Sequence, residues 1–359
     1  MITRRRFTAL SGVLAAGGLL ASCSDSPDGP GPDDVAGSES SGPDGAEILT
    51  IGLDAPWSIT FHGETALVSE RDSARILELA PDGTAREVGV IDGVVAGGEG
   101  GLLGIVAHDG DLFTYFTAAD GNRIERRPLT GSPGAISLGD PSILLDAIPS
   151  AGVHNGGRLA VGPDEMLYAT VGDATDRDSA QDTGALSGKI LRMTPDGDVP
   201  EDNPLPDSLV YSYGHRNPQG IAWGQDGTMY ASEFGQDTWD ELNVIEPGGN
   251  YGWPEVEGIA DQEEYLDPVQ QWSPAEASPS GIAIAGGRLY VANLRGARLW
   301  VAPLEDLSSS TQLLVGEVGR LRDVVTAPDG SLWVLTNNTD GRGNPADADD
   351  RILRFDPAP

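Results

Sequence analysis

The chain has 359 residues, of which 39% are hydrophobic, enough for one large domain or two ordinary ones. Its 56 acidic residues outnumber 22 basic ones and give a net charge of −34, which argues against nucleic acid or an anionic lipid surface as a partner. A single cysteine, Cys23, excludes an intrachain disulfide, and every basic residue except Lys189 is an arginine.

Residues 1–23 predict an export signal. Arg4 and Arg5 precede an apolar stretch over 10–20, which runs into the sequence Leu-Ala-Ser before Cys23. This pattern resembles a twin-arginine signal ending in a lipobox, whose cysteine becomes the lipid-bearing first residue of the mature protein. An ordinary signal peptide with a chance cysteine is the alternative. We therefore expect an exported protein, anchored on the outer side of the cytoplasmic membrane only through this N-terminal lipid.

Residues 24–47 predict a disordered tether. The segment consists almost entirely of Pro, Gly, Ser and Asp and holds too few apolar residues to bury a core. The folded domain is expected over residues 48–359.

One pattern recurs six times in this domain: an apolar run, a tight turn rich in Gly and Asp, and an alternating run, which together predict a β-hairpin. The repeats begin at Trp57, Leu102, Gly157, Gly220, Gly281 and Arg322. A third strand is expected after each hairpin, over 75–80, 123–129, 189–194, 241–246, 298–304 and 351–356. The repeat predicts an all-β protein, a six-bladed β-propeller of four-stranded antiparallel blades. Two stacked β-sandwiches are the alternative.

The repeat also predicts where a functional site lies. The segment before the first strand of each blade and the loop after the second strand fall on the same face of a propeller. The unusual polar segments occupy these positions, for example 97–101, 152–157 and 213–220 before first strands and 172–178 and 233–240 after second strands. Polar residues that converge from several blades form a pocket.

His154 is the strongest catalytic candidate among the four histidines. His62 and His108 fall at strand ends on the opposite, plainer face, where a structural role is expected. Asp173 ends the second strand of the blade that His154 precedes, so the two side chains can meet. A carboxylate on one ring nitrogen orients a histidine and raises its basicity. A histidine that only caps a turn is the alternative.

Four arginines converge on the same face, from positions 216, 295, 320 and 322. Guanidinium groups bind carboxylates or phosphates through paired hydrogen bonds, so the cluster predicts a small polyanionic ligand. Independent surface charges are the alternative. The acidic loop 233–240 predicts a calcium site, because carboxylates and free carbonyls are the ligands that hard cations prefer. A solvated acidic loop is the alternative there.

Several longer motifs occur in a fixed order: GEGGLLGI, HNGGRLAVGPD, GKILRMTPDGDVPEDNP, GHRNPQGIAW, DELNVIEPGGNYGWP and RLRDVVTAPDG. Over about residues 48–358 the chain resembles the soluble PQQ-dependent sugar dehydrogenases, the glucose/sorbosone dehydrogenase family. Its short loops resemble those of the broad-range aldose sugar dehydrogenases. The resemblance implies a six-bladed propeller with PQQ and Ca²⁺ as cofactors, an aldose as substrate and an external electron acceptor, either a quinone or a redox protein.

The resemblance also implies a reaction. A histidine removes the proton of the anomeric hydroxyl, a hydride passes to the quinone of PQQ, and the aldose becomes a lactone. Calcium polarises the reacting carbonyl as a Lewis acid. The three carboxylates of PQQ explain an arginine cluster.

Residue roles carry over by motif. His154 resembles the base and Asp173 its orienting partner. The positions that resemble cofactor contacts are Glu99, Arg216, Asn217, Arg295, Arg320 and Arg322. The carbonyls of Gly235 and Gln236 resemble the ligands of the PQQ-bound calcium, and Glu241 and Tyr251 match positions near a further calcium.

Three positions depart from the family pattern. Glu99 stands where several members carry Gln, and Phe234 and Gln236 stand where relatives often have a polar residue and a proline. A carbonyl ligand tolerates a changed side chain, so calcium binding is still expected, whereas the packing against PQQ is altered.

Two other functions remain open from the sequence. A non-catalytic propeller could bind a carbohydrate or a protein partner at the cell surface. A lactonase-type hydrolase would use an axial calcium held by several Asn, Asp and Glu side chains, whereas this chain offers mainly carbonyls and arginines near the axis.

Overall fold

The structure, a computed structural model, describes residues 45–357. The predicted export signal, Cys23 and residues 24–44 of the predicted tether lie outside this range. Within it the secondary structure is almost entirely β-strand, with a 3₁₀ helix over Arg177–Ala180. No helix among the described residues is long and apolar enough to cross a membrane.

Twenty-five strands form six antiparallel sheets, which we number as blades 1 to 6. Blade 1 consists of β2 (Pro56–His62), β3 (Thr65–Glu70), β4 (Arg75–Leu79) and β5 (Ala85–Val90). Blade 2 consists of β6 (Leu102–His108), β7 (Asp111–Ala118), β8 (Gly121–Thr130) and β10 (Ser142–Ile148), with the short β9 (Ser137–Leu138) added to β8. Blade 3 consists of β11 (Leu159–Val161), β12 (Leu167–Val171), β13 (Lys189–Met193) and β14 (Val210–Tyr213).

The remaining blades follow the same order. Blade 4 consists of β15 (Pro218–Trp223), β16 (Met229–Glu233), β17 (Asp240–Ile245) and β18 (Gln270–Trp272). Blade 5 consists of β19 (Pro279–Ala285), β20 (Arg288–Asn293), β21 (Arg298–Pro303) and β22 (Thr311–Leu313). Blade 6 consists of β23 (Leu321–Thr326), β24 (Leu332–Thr336), β25 (Ile352–Phe355) and β1 (Glu47–Thr50).

The first strands of the six blades form a closed ring. β2 contacts β6, β6 contacts β11, and the series continues through β15, β19 and β23 back to β2. The predicted six-bladed β-propeller is confirmed. Blade 6 takes its outer strand from the beginning of the domain, with Glu47 opposite Arg354 and Ile48 opposite Leu353. The pairing of β1 with β25 joins the two ends of the domain through backbone hydrogen bonds.

Differences in burial explain why some strands have a clearer hydrophobic pattern in the sequence than others. The second strand of blade 1 is buried at every position, because neighbouring blades cover both of its faces. Its Leu67 and Val68 are fully buried, and each such side chain contributes about 1.5–3 kcal/mol to folding. The outer strand β5, in contrast, has no fully buried position. Apolar clusters between adjacent blades form the core, which is therefore distributed around the ring of blades.

The connections divide between two faces as expected. The loops before first strands and after second strands lie on one face, and the hairpin turns between first and second strands lie on the other. His62 and His108 end β2 and β6 at the hairpin face, away from the polar loops. This placement agrees with their predicted structural role.

Candidate active site

A polar cavity of about 370 Å³ opens on the face that the sequence marks as functional. Its walls come from blades 1, 2, 4, 5 and 6 and the loops beside them, with the lining residues Trp57, Glu99, Gln219, Phe234, Ser278, Leu294, Arg295, Arg320, Arg322 and Arg342. A larger cavity of about 520 Å³ lies on the hairpin face and contains none of the predicted site residues.

The predicted pair of His154 and Asp173 is present. The Nδ1 atom of His154 lies 2.8 Å from Oδ1 of Asp173. The other carboxylate oxygen, Oδ2, accepts a hydrogen bond of 2.9 Å from the indole of Trp253, and Oδ1 also accepts the backbone N–H of Thr175. Burial opposes ionisation of Asp173, but these hydrogen bonds outweigh it and lower the pKa of the carboxyl group. Asp173 is therefore an ionised and fully buried partner for the imidazole.

The second nitrogen of His154 faces an arginine. Nη2 of Arg216 lies 2.9 Å from Nε2 of His154. A guanidinium can only donate, so Nε2 is the accepting nitrogen and Nδ1 carries the proton shared with Asp173. This assignment gives a neutral imidazole whose basic lone pair points towards Arg216.

Arg216 itself is held by blade 4. Its guanidinium donates to the side-chain oxygen of Gln236, at 3.1 and 3.2 Å, and to the carbonyl of Phe234. Burial lowers the pKa of Arg216, and the nearby carboxylates of Asp173 and Glu233 counteract this effect. A fixed cation therefore lies beside the candidate base, and Phe234 connects it to the cavity wall.

Glu99 connects the candidate base to the cavity rim. Its Oε2 accepts the backbone N–H of His154 at 2.9 Å, and its Oε1 pairs with Arg342 at 3.0 Å. His154 adopts a left-handed backbone with φ of 60°, so this hydrogen bond fixes a strained turn. Arg342 is a fourth arginine of the cavity that the sequence analysis did not single out.

Arg320 and Arg322 meet on one wall. Arg320 pairs with Asp340 at 3.0 Å, and Arg322 donates to Gln219 at 2.8 Å while lying 5.6 Å from the ring of Trp57. Burial, together with the neighbouring Arg320, lowers the pKa of the Arg322 guanidinium to about 9. Two adjacent cations, one buried and one partly buried, share a single carboxylate, a costly arrangement that an anionic ligand would stabilise.

Two further side chains support an anionic, polar ligand here. Arg295 lines the cavity and forms no hydrogen bond or ion pair within residues 45–357. Asn217 is fully buried; its Oδ1 accepts the N–H of Gly156, but its Nδ2 has no partner among the described residues. A buried amide donor without a partner costs about 1–3 kcal/mol, so a ligand acceptor would offset this cost. The residues present fit a flat polycarboxylate such as PQQ.

The loop after β16 carries the predicted calcium ligands. The carbonyl oxygens of Gly235 and Gln236 accept no hydrogen bond from any residue in 45–357, which leaves them available to a hard cation. Among the same residues, no three His, Cys, Asp or Glu side chains are grouped so that they could hold a metal. A cation at this loop would therefore depend on backbone carbonyls, which is the arrangement that the family resemblance implies.

The other predicted calcium position lies deeper in blade 4. Glu241 is buried in β17 and accepts the N–H of Gly258 and the amide of Asn243. Burial and the neighbouring Glu233 raise the pKa of Glu241 to about 8. Tyr251 packs on the buried ring of His215, with its hydroxyl donating to the carbonyl of Val244. A cation beside Glu241 would favour its ionised form, so the donor chemistry fits.

Comparison with known proteins identifies the family. The model of the glucose/sorbosone dehydrogenases matches residues 53–353. The chain belongs to this family. The family resemblance inferred from the motifs is therefore confirmed.

Named relatives extend this result. The PQQ-bound form of an aldose sugar dehydrogenase from Streptomyces coelicolor is 49% identical, with a TM-score of 0.83 over 86% of this chain and 96% of that one. Aldose sugar dehydrogenase YliI of Escherichia coli is 29% identical over 82% of this chain and 90% of its own length. Quinoprotein glucose dehydrogenase B of Acinetobacter calcoaceticus is 30% identical over 67% of this chain but only 59% of its own length.

The structure of this family member adds residues that sequence reasoning missed. Trp253 holds Asp173, and Arg342 holds Glu99. Trp253 lies in the motif GNYGWP, which was noted but given no role, whereas Arg342 stands in a loop without any motif. At Gln236, one of the positions that departs from the expected pattern, the side-chain oxygen accepts two hydrogen bonds from Arg216.

Proposed function

We propose that this protein oxidises aldose sugars at the anomeric carbon to lactones, with PQQ and Ca²⁺ as cofactors and His154 as the general base. One observation supports this most strongly. A histidine oriented by an ionised carboxylate has its accepting nitrogen on a fixed arginine, and its backbone is tied to the wall of a cavity that holds three further predicted cofactor arginines. A pure binding module has no need for an oriented base at such a place.

The part of the cavity lined by Arg295, Arg320 and Arg322 is the proposed binding site of the cofactor. When bound, PQQ supplies an ortho-quinone that accepts a hydride, and Ca²⁺ polarises the quinone carbonyl. Arg295, Arg320 and Arg322 are proposed to hold the carboxylates of the cofactor, and Asn217 offers its unpaired Nδ2 to it. Glu99 lies beside these arginines at the rim of the cavity.

His154 is proposed to take the proton of the anomeric hydroxyl on Nε2. Asp173 keeps the proton of the neutral ring on Nδ1, and it stabilises the imidazolium that forms when Nε2 is protonated. Arg216 must release Nε2 before the sugar hydroxyl can donate to it, and its guanidinium is then free for an oxygen of the cofactor.

Calcium is proposed at two positions of blade 4. The carbonyls of Gly235 and Gln236 would hold the catalytic ion, and Glu241 and Tyr251 would contribute to a structural site. We further propose that the enzyme is exported and anchored through Cys23 outside the cytoplasmic membrane, where a quinone or a redox protein takes the electrons.

The purified mature chain tests this function directly. PQQ and CaCl₂ are added, and glucose, galactose and maltose are supplied in turn with a dye acceptor. We expect dye reduction that requires both PQQ and calcium. Absence of dye reduction with every sugar, together with absence of PQQ binding, would overturn the proposal and favour a non-catalytic binding propeller.

A further inference from the structure

The predicted calcium loop between β16 and β17 has an unusual hydrogen-bond pattern. The backbone N–H groups of four consecutive residues, 236–239, all donate to one atom, Oε1 of Glu257, at 2.7, 3.2, 3.1 and 3.1 Å. The preceding N–H, of Gly235, donates to Oδ1 of Asp240 at 2.9 Å. Five successive amides therefore point at two carboxylates.

This pattern fixes the direction of the carbonyl groups. In a trans peptide unit the N–H and the C=O point in opposite directions. Because the N–H groups of Gln236 and Asp237 point at Glu257, the carbonyls of Gly235 and Gln236 point away from it. These two carbonyls accept no hydrogen bond within residues 45–357, and the same holds for the carbonyls of Asp237 and Thr238 that follow them.

Glu257 is well anchored for such a role. The next residue, Gly258, donates its N–H to the buried Glu241 at 2.6 Å, which ties this segment to strand β17. The fit at the loop is tight, since a Cβ at position 235 would lie 1.7 Å from the carbonyl oxygen of Trp239 and 2.6 Å from Oε1 of Glu257. Glycine is therefore required there, and Glu257 takes the place that a side chain would fill.

We propose that Glu257 is a positioning residue, which gathers the N–H groups of residues 236–239 and thereby presents the carbonyls of Gly235 and Gln236 to a divalent cation. The inference rests on the calcium site of the proposed function. A loop held in this shape before the cation arrives loses less conformational entropy on binding. The negative charge of Glu257 also favours a cation nearby.

Calcium affinity of the PQQ-free protein tests the inference without any enzyme assay. All variants carry Glu241→Gln, which keeps a side-chain oxygen for the N–H of Gly258 but removes the charge of the second proposed calcium position, so that one site is left to titrate by calorimetry with CaCl₂. We expect Glu257→Ala to raise the Kd for calcium about 10- to 100-fold, the usual effect of removing a group that orients metal ligands. Glu257→Gln keeps one acceptor oxygen and should raise the Kd less.

Glu255→Gln is the matched control. Glu255 is exposed, lies two positions away and forms no side-chain hydrogen bond or ion pair among the described residues, so its loss of charge should leave the Kd unchanged. Equal affinity of both Glu257 variants and the control would overturn the inference while the calcium site stands. Absence of calcium binding in the Glu241→Gln parent would instead remove the proposed catalytic calcium site. Circular dichroism checks folding, and Glu257→Gln decides if Glu257→Ala does not fold.

Discussion

Two histidines on neighbouring blades make nearly the same contact with a carboxylate but differ in everything else. Nδ1 of His154 lies 2.8 Å from Asp173, and Nδ1 of His215 lies 2.7 Å from Glu233. The second nitrogen of His154 faces the guanidinium of Arg216, whereas that of His215 is bound to Ser212 at 2.8 Å. The side chain of His154 is 16% exposed and that of His215 is fully buried.

The difference shows that a carboxylate partner alone does not mark a catalytic histidine. Both rings are oriented, but only His154 has a nitrogen that can be offered to a ligand. The buried pair has a supporting role instead, because Oε1 of Glu233 accepts the backbone N–H of Arg216. The pair of His215 and Glu233 therefore fixes the backbone of Arg216. The first pair is the one that we propose to react, and the second holds Arg216 in position.

The replacement His154→Ala should have the largest effect on turnover. Removal of a general base lowers kcat by about 10²- to 10⁴-fold, while the thermal midpoint should change little because the ring is partly exposed. Dye-reduction kinetics and PQQ binding, measured separately, check this result. Equal losses of binding and turnover would mean that His154 is a ligand contact and not the base.

The replacement His215→Ala should have the opposite profile. It leaves Oε2 of Glu233 and the hydroxyl of Ser212 without a partner in a buried site, which should lower the free energy of unfolding by about 3 kcal/mol. Urea unfolding measures this loss. Turnover per folded molecule should fall far less than for His154→Ala, and a selective loss of turnover with full stability would break the comparison.

The replacement Asp173→Asn should lower kcat about 10- to 100-fold. The amide has one acceptor oxygen for the three donors His154, Thr175 and Trp253, so the tautomer and orientation of the imidazole are no longer fixed. Asp178→Asn, an exposed carboxylate nearby, is the control and should keep full activity. An unchanged kcat for Asp173→Asn would remove Asp173 from the proposed mechanism.

The smallest effect concerns acid stability. The pKa of Asp173 is lowered in the folded protein, so its stabilising contribution is complete above its ordinary pKa of 3.8 and is lost as the pH falls below that value. The difference in unfolding free energy between the wild type and Asp173→Asn should therefore be constant near neutral pH and shrink below pH 3.8. Denaturant unfolding in the two pH ranges measures it, and a constant difference would contradict the lowered pKa.

The sequence predicts the parts of this molecule whose pattern is local. The inner strands, such as Leu102–His108, are buried and apolar, and the Gly and Asp turns after them mark the hairpins. His154 and Asp173 were predicted to meet because the repeat places them on one face of one blade. Outer strands such as Ala85–Val90 are half exposed and give no comparable pattern.

Contacts across blades were beyond sequence reasoning. Trp253 reaches Asp173 across 80 positions and Arg342 reaches Glu99 across 243, and neither distance leaves a periodic signal. The predicted calcium loop is a similar case. The sequence marked the carbonyls of this loop as candidate calcium ligands, but it gave no sign that Glu257, 21 positions from Gln236, accepts hydrogen bonds from the backbone N–H groups of the loop.

The origin of the outer strand in blade 6 has a consequence for how the protein is made. Glu47 and Arg354 are 307 positions apart, so the first strand of the domain has no partner until Ile352–Phe355 has been synthesised. Long-range pairing of this kind is slow, and the edge of β25 stays unpaired until β1 reaches it. Deletion of Glu47–Thr50 should therefore leave β25 with a permanently unpaired edge and make the propeller prone to aggregate.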